Sequence, residues 1–221
     1  MSQVVISTLH WRALTTGFAT LIVSLALIAM PARAEQTDGA AAFVRDFGDQ
    51  AVAVLVDGNL PSGQREVEFR RLFKAGFDID VISRFVLGKY WRNATPAERA
   101  EYTRLFEDFI IATYARRMEA YSDEELVVGD VTYKGDKRAI VTSEIVRPDA
   151  KPIRVDWQLR RNGERWYFVD VVVEGMSMAL TQRSEFTSVI RRNGGQIEGL
   201  LATLRQRTAS VRPTGENIAA R

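Results

Sequence analysis

Apolar positions follow two different periods along this chain. Phe43, Val44, Phe47, Ala51, Val54 and Leu55 recur at helical spacing, with Gly58 as a stop and Pro61 as a restart. Val67, Phe69, Leu72 and Phe73 predict a second helix from Ser62 to Phe77, closed by Gly76. Asp78 is placed to cap a short third helix with Ile79, Ile82 and Phe85 inward, ending at Gly88. The clearest helix starts at Thr95. That residue suits an N-cap, Pro96 suits the first helical position, and Glu98 completes a capping box. Tyr102, Leu105, Phe106, Phe109, Ile110, Thr113, Tyr114, Arg117, Met118 and Tyr121 then step along one face. After Ser122 the period drops to two. Leu126–Tyr133, Arg138–Val146, Ile153–Arg161 and Arg165–Val173 read as strands, joined by turns at Gly135, Pro148 to Pro152, and Gly163.

In the third strand Val155, Trp157 and Leu159 take one face and Arg154, Asp156, Gln158 and Arg160 the other. The fourth, read with strict alternation, is apolar on both faces. Trp166, Phe168 and Val172 point one way, and Tyr167, Val169, Val171 and Val173 the other. Gly175 ends the sheet. Ser177–Arg192 is helical with Leu180, Phe186, Val189 and Ile190 inward, and Ile197, Leu200, Leu201 and Leu204 mark a last helix. Helices, an antiparallel meander and helices again define an α+β chain, with helices on one face of a curved sheet.

The N-terminus reads as an address. His10, Trp11 and Arg12 precede a run without charge from Ala13 to Met30, and Pro31-Ala32-Arg33-Ala34 follows. This is the pattern of a secretory signal peptide cut after Ala34; a retained membrane anchor is the alternative. The expected division is a signal over 1–34, one domain over 35–210 with a small, polar, flexible start at 35–42, and a loose tail over 211–221. Removal of 1–34 takes away Arg12 and Arg33 and no acid. The 30 basic residues then fall to equality with the 28 acidic ones. A neutral chain gives no support to nucleic-acid binding. It also holds no cysteine and no histidine, because the single histidine is His10. Thiol and histidine triads and the commonest zinc, copper and haem sites are thereby excluded.

What chemistry remains is sparse. No phosphate-cradling glycine motif is present, and Asp78 with Asp80 is too little for a calcium loop. Asp156 and Asp170 lie on strands, where a carboxylate in an apolar cup could act as a base of raised pKa; the plainer alternative is a hydrogen-bonded structural acid. The apolar excess says more. Three of the four tryptophans (Trp91, Trp157, Trp166) lie in the domain, beside aromatic helix faces. Such material fills a core or lines a cavity between helices and a sheet that curls away from them.

The segment Ser83–Met118, SRFVLGKYWRNATPAERAEYTRLFEDFIIATYARRM, resembles the signature of the MlaC-like, toluene-tolerance family. Val155–Met178, VDWQLRRNGERWYFVDVVVEGMSM, is similar to that family's strand block, and RSEFTSVIRRNGG (Arg183–Gly195) stands where the family has its R-x-x-F helix. The blocks occur in order across roughly residues 43–205. Met176 replaces the Val or Ile common in the family, a change that a flexible apolar wall tolerates.

The resemblance implies a nuclear-transport-factor-2-like cone with a helical subdomain, and a periplasmic lipid carrier rather than an enzyme. It implies no cofactor and no metal. Phospholipid acyl chains would enter a deep apolar cavity, with the headgroup near the mouth and met by Arg or Lys. Implied partners are phospholipid, an inner-membrane ABC transporter complex and an outer-membrane lipoprotein–porin complex, approached in transient proximity to the membrane. A branch associated with hopanoid biosynthesis shares the fold, so hopanoid or another lipid is an alternative cargo. The expected cavity wall is Phe85, Tyr90, Phe106, Phe109, Ile110, Tyr114, Val155, Trp157, Val169, Val171, Val173 and Met176. The competing readings are a cone-fold enzyme using Asp156 or Asp170 as base with a tyrosine as proton donor, and a docking adaptor with a filled core.

Overall fold

A computed structural model describes residues 32–56, 61–118, 124–148 and 150–209. The helices are α1 (Ala32–Val56), α2 (Ser62–Gly76), α3 (Ile79–Leu87), α4 (Tyr90–Asn93), α5 (Pro96–Met118), α6 (Met178–Arg192) and α7 (Ile197–Ala209). The strands are β1 (Glu125–Tyr133), β2 (Arg138–Arg147), β3 (Ala150–Asn162), β4 (Arg165–Val173) and β5 (Met176–Ser177). They form one antiparallel meander in the order β1-β2-β3-β4-β5. The α+β expectation and all four long strands stand. The Gly58 stop, the signal run 1–31 and the tail after residue 209 lie outside the described residues.

The capping box at α5 forms as its residues dictate: Thr95 N–H donates to Glu98 Oε2 at 2.7 Å and Glu98 N–H to Thr95 Oγ1 at 3.2 Å. Asp78 caps α3 by accepting from Val81 N–H at 3.2 Å. Ser177 is the cap of α6 rather than its first residue, accepting from Leu180 N–H. Gly76 ends α2 where the helix passes α1. A Cβ there would lie 2.6 Å from the Phe47 ring, so only glycine permits the approach.

Two apolar cores result. One is helical: Tyr102, Leu105, Phe106 and Ile111 of α5 are fully shielded against Phe186 and Ile190 of α6, Leu200, Leu201 and Leu204 of α7, and Val86 and Leu87 of α3. Tyr102 donates its buried hydroxyl to Ser83 O at 3.1 Å, and burial pushes its pKa well above the ordinary tyrosine value. The other core lies between the sheet and α1. Ala40 and Val44 pack on Ala139, Val141, Leu159, Trp166 and Phe168. Phe168 sits at its centre, with ring centroids of Phe43, Phe47, Phe77 and Trp157 at 4.8 to 5.0 Å.

Several expectations need correction. The segment 35–42 is part of α1, and Ala40 is fully buried, because a small side chain lets the helix lie close to the sheet. Phe85 (41% exposed), Leu180 (57%) and Val67 (63%) face outward; each falls off the apolar stripe of a helix whose contact face is narrower than the sequence spacing suggests. The fourth strand does not alternate strictly. Leu159 pairs with Phe168 but Gln158 pairs with Asp170, so Val169 is an extra residue in a bulge. Beyond it the phase inverts: Val171 and Val173 join Trp166 and Phe168 on the inner face, and Val172 moves to the outer one.

Candidate functional site

Strand pairing defines the inner face of the sheet residue by residue. Val141, Trp157 and Val171 form one cross-strand row, and Ser143, Val155 and Val173 the next. The first row borders the sheet–α1 core, in which Val141 is fully buried. The second runs toward the β2–β3 and β4–β5 turns. Among the described residues neither core includes Val155, Val169, Val171 or Val173. Val155 is buried, while the three β4 valines are half-buried. This stretch of wall is apolar but not interlocked with either core.

Its few polar atoms are paired internally. Trp157 Nε1–H donates to Ser143 Oγ at 2.8 Å, and the Ser143 hydroxyl donates to Val155 O at 3.2 Å. An indole and a hydroxyl that satisfy each other leave the surface around them without demand for water. Ser143 was absent from the sequence reading; its only signal was a small polar residue in register with two apolar neighbours.

The expected wall residues divide into groups. Val155, Trp157, Val171 and Val173 share the inner sheet face, with Val169 at the bulge. Phe106 and Phe109 pack around Phe186, with centroids 6.2 and 5.9 Å away, and Ile110 is buried in the same helical core. Tyr114 bridges the halves: it packs on the helical core, and its hydroxyl meets Met178 Sδ, just past β5, at 3.7 Å. Tyr90 is half-buried against the helical core beneath Lys89. Phe85 lies apart, on a surface cleft of about 500 Å3. Met176, in β5 after the Gly175 turn, is 58% exposed. Met176 is the cross-strand partner of Val173 and extends that row at its exposed end, so it stands beside the sheet valines, whereas Phe85 does not.

The two candidate bases are placed differently from what a base requires. Asp156 and Asp170 both lie on the outer face, opposite Val172 and Gln158. Asp156 pairs with Arg154 at 3.0 Å. Asp170 accepts from Ser177 Oγ–H at 2.5 Å, Val171 N–H at 2.9 Å and Ala179 N–H at 3.0 Å, tying β4 to the start of α6. Their partners among the described residues are an arginine, a serine and backbone amides, which is the geometry of the hydrogen-bonded structural acid. Among the described residues no group of carboxylates could hold a metal, and no helix is long and apolar enough to cross a membrane.

A half-buried apolar sheet face outside both cores, with its polar atoms paired, has the character that a wall for an apolar ligand requires. The model of the family described as MlaC protein matches residues 45–206, and the chain belongs to the MlaC family. It is similar to the toluene tolerance protein ttg2D of Pseudomonas putida, 23% identical over 141 residues, which are 63% of this chain and 66% of that one, just short of two thirds. The fold matches a phospholipid-binding protein from Ralstonia solanacearum, solved in complex with a phospholipid, with a TM-score of 0.68 at 21% identity over 79% of this chain and 99% of the other.

Proposed function

We propose that this chain is a periplasmic carrier that holds the acyl chains of a phospholipid against the inner face of its sheet. The observation that carries the reading is the valine wall outside both cores, in a fold shared with a protein solved around a phospholipid. On this reading Val155, Trp157, Val169, Val171 and Val173 form the sheet side of the cavity, and Tyr114 with the last turn of α5 before it forms the helical side. Residues 1–34 direct export and are removed. The loaded protein exchanges cargo with an outer-membrane lipoprotein complex and an inner-membrane ABC transporter complex.

The energetics explain why no catalytic group is needed. A two-chain lipid carries roughly 30 methylenes, each worth about 0.8 kcal/mol on leaving water, so exposed chains would cost on the order of 20 kcal/mol. A carrier competes with a bilayer only if it hides nearly all of that surface. A wall of short, stiff valines does so without filling the space that the chains must occupy.

Transfer from vesicles tests this. Protein stripped of lipid should take up a fluorescent phosphatidylethanolamine, and Val171→Glu should lower uptake at least tenfold while the fold, read by circular dichroism, is kept. A carboxylate placed in a dry wall must be desolvated whenever chains enter. Unchanged uptake in the folded variant would remove Val171 from the wall. Failure of the unaltered protein to take up lipid would overturn the carrier reading.

A further inference from the structure

The cleft of about 500 Å3 between α3, α4 and α6 is a second feature that the carrier reading does not use. Its floor is aromatic: Phe85, 41% exposed, and the half-buried Trp91. Around that floor stand Arg84, Lys89, Arg92 and Arg183, and no acidic residue lines the cleft. Elsewhere on the helical layer two cations are neutralised. Arg70 is held by Asp108 at 2.6 Å and by Glu66 and Glu107, and Lys74 by Glu107. Among the described residues the four cleft cations have no carboxylate within ion-pair distance.

The cleft is also built rather than incidental. The Arg183 guanidinium lies over the Phe85 ring at 5.1 Å. It is admitted there by Gly88, where a Cβ would come within 3.0 Å of it and where φ is +60°. Arg99 holds the adjoining turn by donating to Trp91 O at 2.9 Å and Arg92 O at 3.3 Å.

We propose that this cleft docks an acidic segment of a partner protein, with one apolar side chain of that segment seated on Phe85 and Trp91. Tryptophan, phenylalanine and arginine around a partly exposed apolar centre have the composition of an interface hot spot. Four unneutralised cations select the sign of the partner and speed its approach. The volume and the apolar floor suit a side chain flanked by carboxylates better than a lone phosphate. The proposal does not depend on the lipid reading, and either can fail alone.

The test uses the full exported chain labelled for NMR. A short peptide of alternating glutamate and leucine should shift the Trp91 indole and the Gly88 amide, and the matching lysine–leucine peptide should not. Arg92→Glu with Lys89→Glu, both exposed positions, should weaken the acidic peptide about tenfold or more, and Arg183→Gln should weaken it less, with lipid content unchanged in all of them. Absence of shifts with the acidic peptide would overturn the proposal. So would equal shifts from inorganic phosphate alone or from phosphatidylglycerol vesicles, which would make the cleft a headgroup or membrane site, and so would loss of lipid in the folded variants.

Discussion

The helical layer and the far end of the sheet are made of similarly apolar sequence, yet they pack differently. In the helical layer Tyr102, Phe106 and Phe186 interlock edge to face, and the hydroxyl of Tyr102 finds Ser83. On the sheet, Val155, Val171 and Val173 present short side chains in register and, among the described residues, belong to neither core. The lesson is that apolar content does not distinguish a core from a binding wall. Side-chain length and the presence of an interdigitating partner do.

Two substitutions to the same residue break the comparison most sharply. Val141→Glu buries a charge in a fully shielded core position and should abolish cooperative folding, seen as loss of a thermal transition. Val171→Glu, one strand beyond Trp157 in the same row, should keep the transition because the site is only half-buried. Equal destabilisation would mean that the two positions belong to one filled core. Next in size, Phe168→Ala removes the ring on which Phe43, Phe47, Phe77 and Trp157 converge and should cost about 3–5 kcal/mol in chemical denaturation. Tyr102→Phe keeps the packing and removes the hydroxyl bond to Ser83 O, for about 1 kcal/mol.

The smallest effects belong to the surface of α5. Thr95→Ala removes the cap and should cost about 1 kcal/mol. Hydrogen bonds from the Thr95 backbone and side chain hold the Glu98 carboxyl below its ordinary value of 4.5. A carboxylate whose folded pKa is depressed stabilises the fold above the unfolded value and loses that contribution as pH falls through the folded one. Glu98→Gln should therefore flatten the acid side of the stability profile below about pH 4.5 and change the neutral region less. An acid limb identical to that of the unaltered chain would deny the box any share in it.

Much of this was readable from residue order. The α5 box, the hairpin turns and the alternation of Val155, Trp157 and Leu159 are local patterns, and local chemistry settles them. The Val169 bulge is not local. It appears only when β4 is paired with β3, and without it Val171 and Val173 fall on the wrong face. The start of α1 has a related origin: Ala40 carries little hydrophobic signal, yet its small side chain is fully buried against the sheet. Phe85 carried the opposite ambiguity, an aromatic that read as core and stands in a cationic cleft. The four cations of that cleft come from three helices and one turn, and only the fold brings Arg183 beside Arg84, Lys89 and Arg92.

The central claim is that the wall outside the two cores is covered by fatty chains. Native mass spectrometry of the exported protein, purified without detergent, addresses it directly. The account predicts a population heavier than the polypeptide by the mass of one phospholipid, released as that lipid on activation. A single species at the mass of the bare chain, still bare after incubation with phospholipid vesicles, would contradict it.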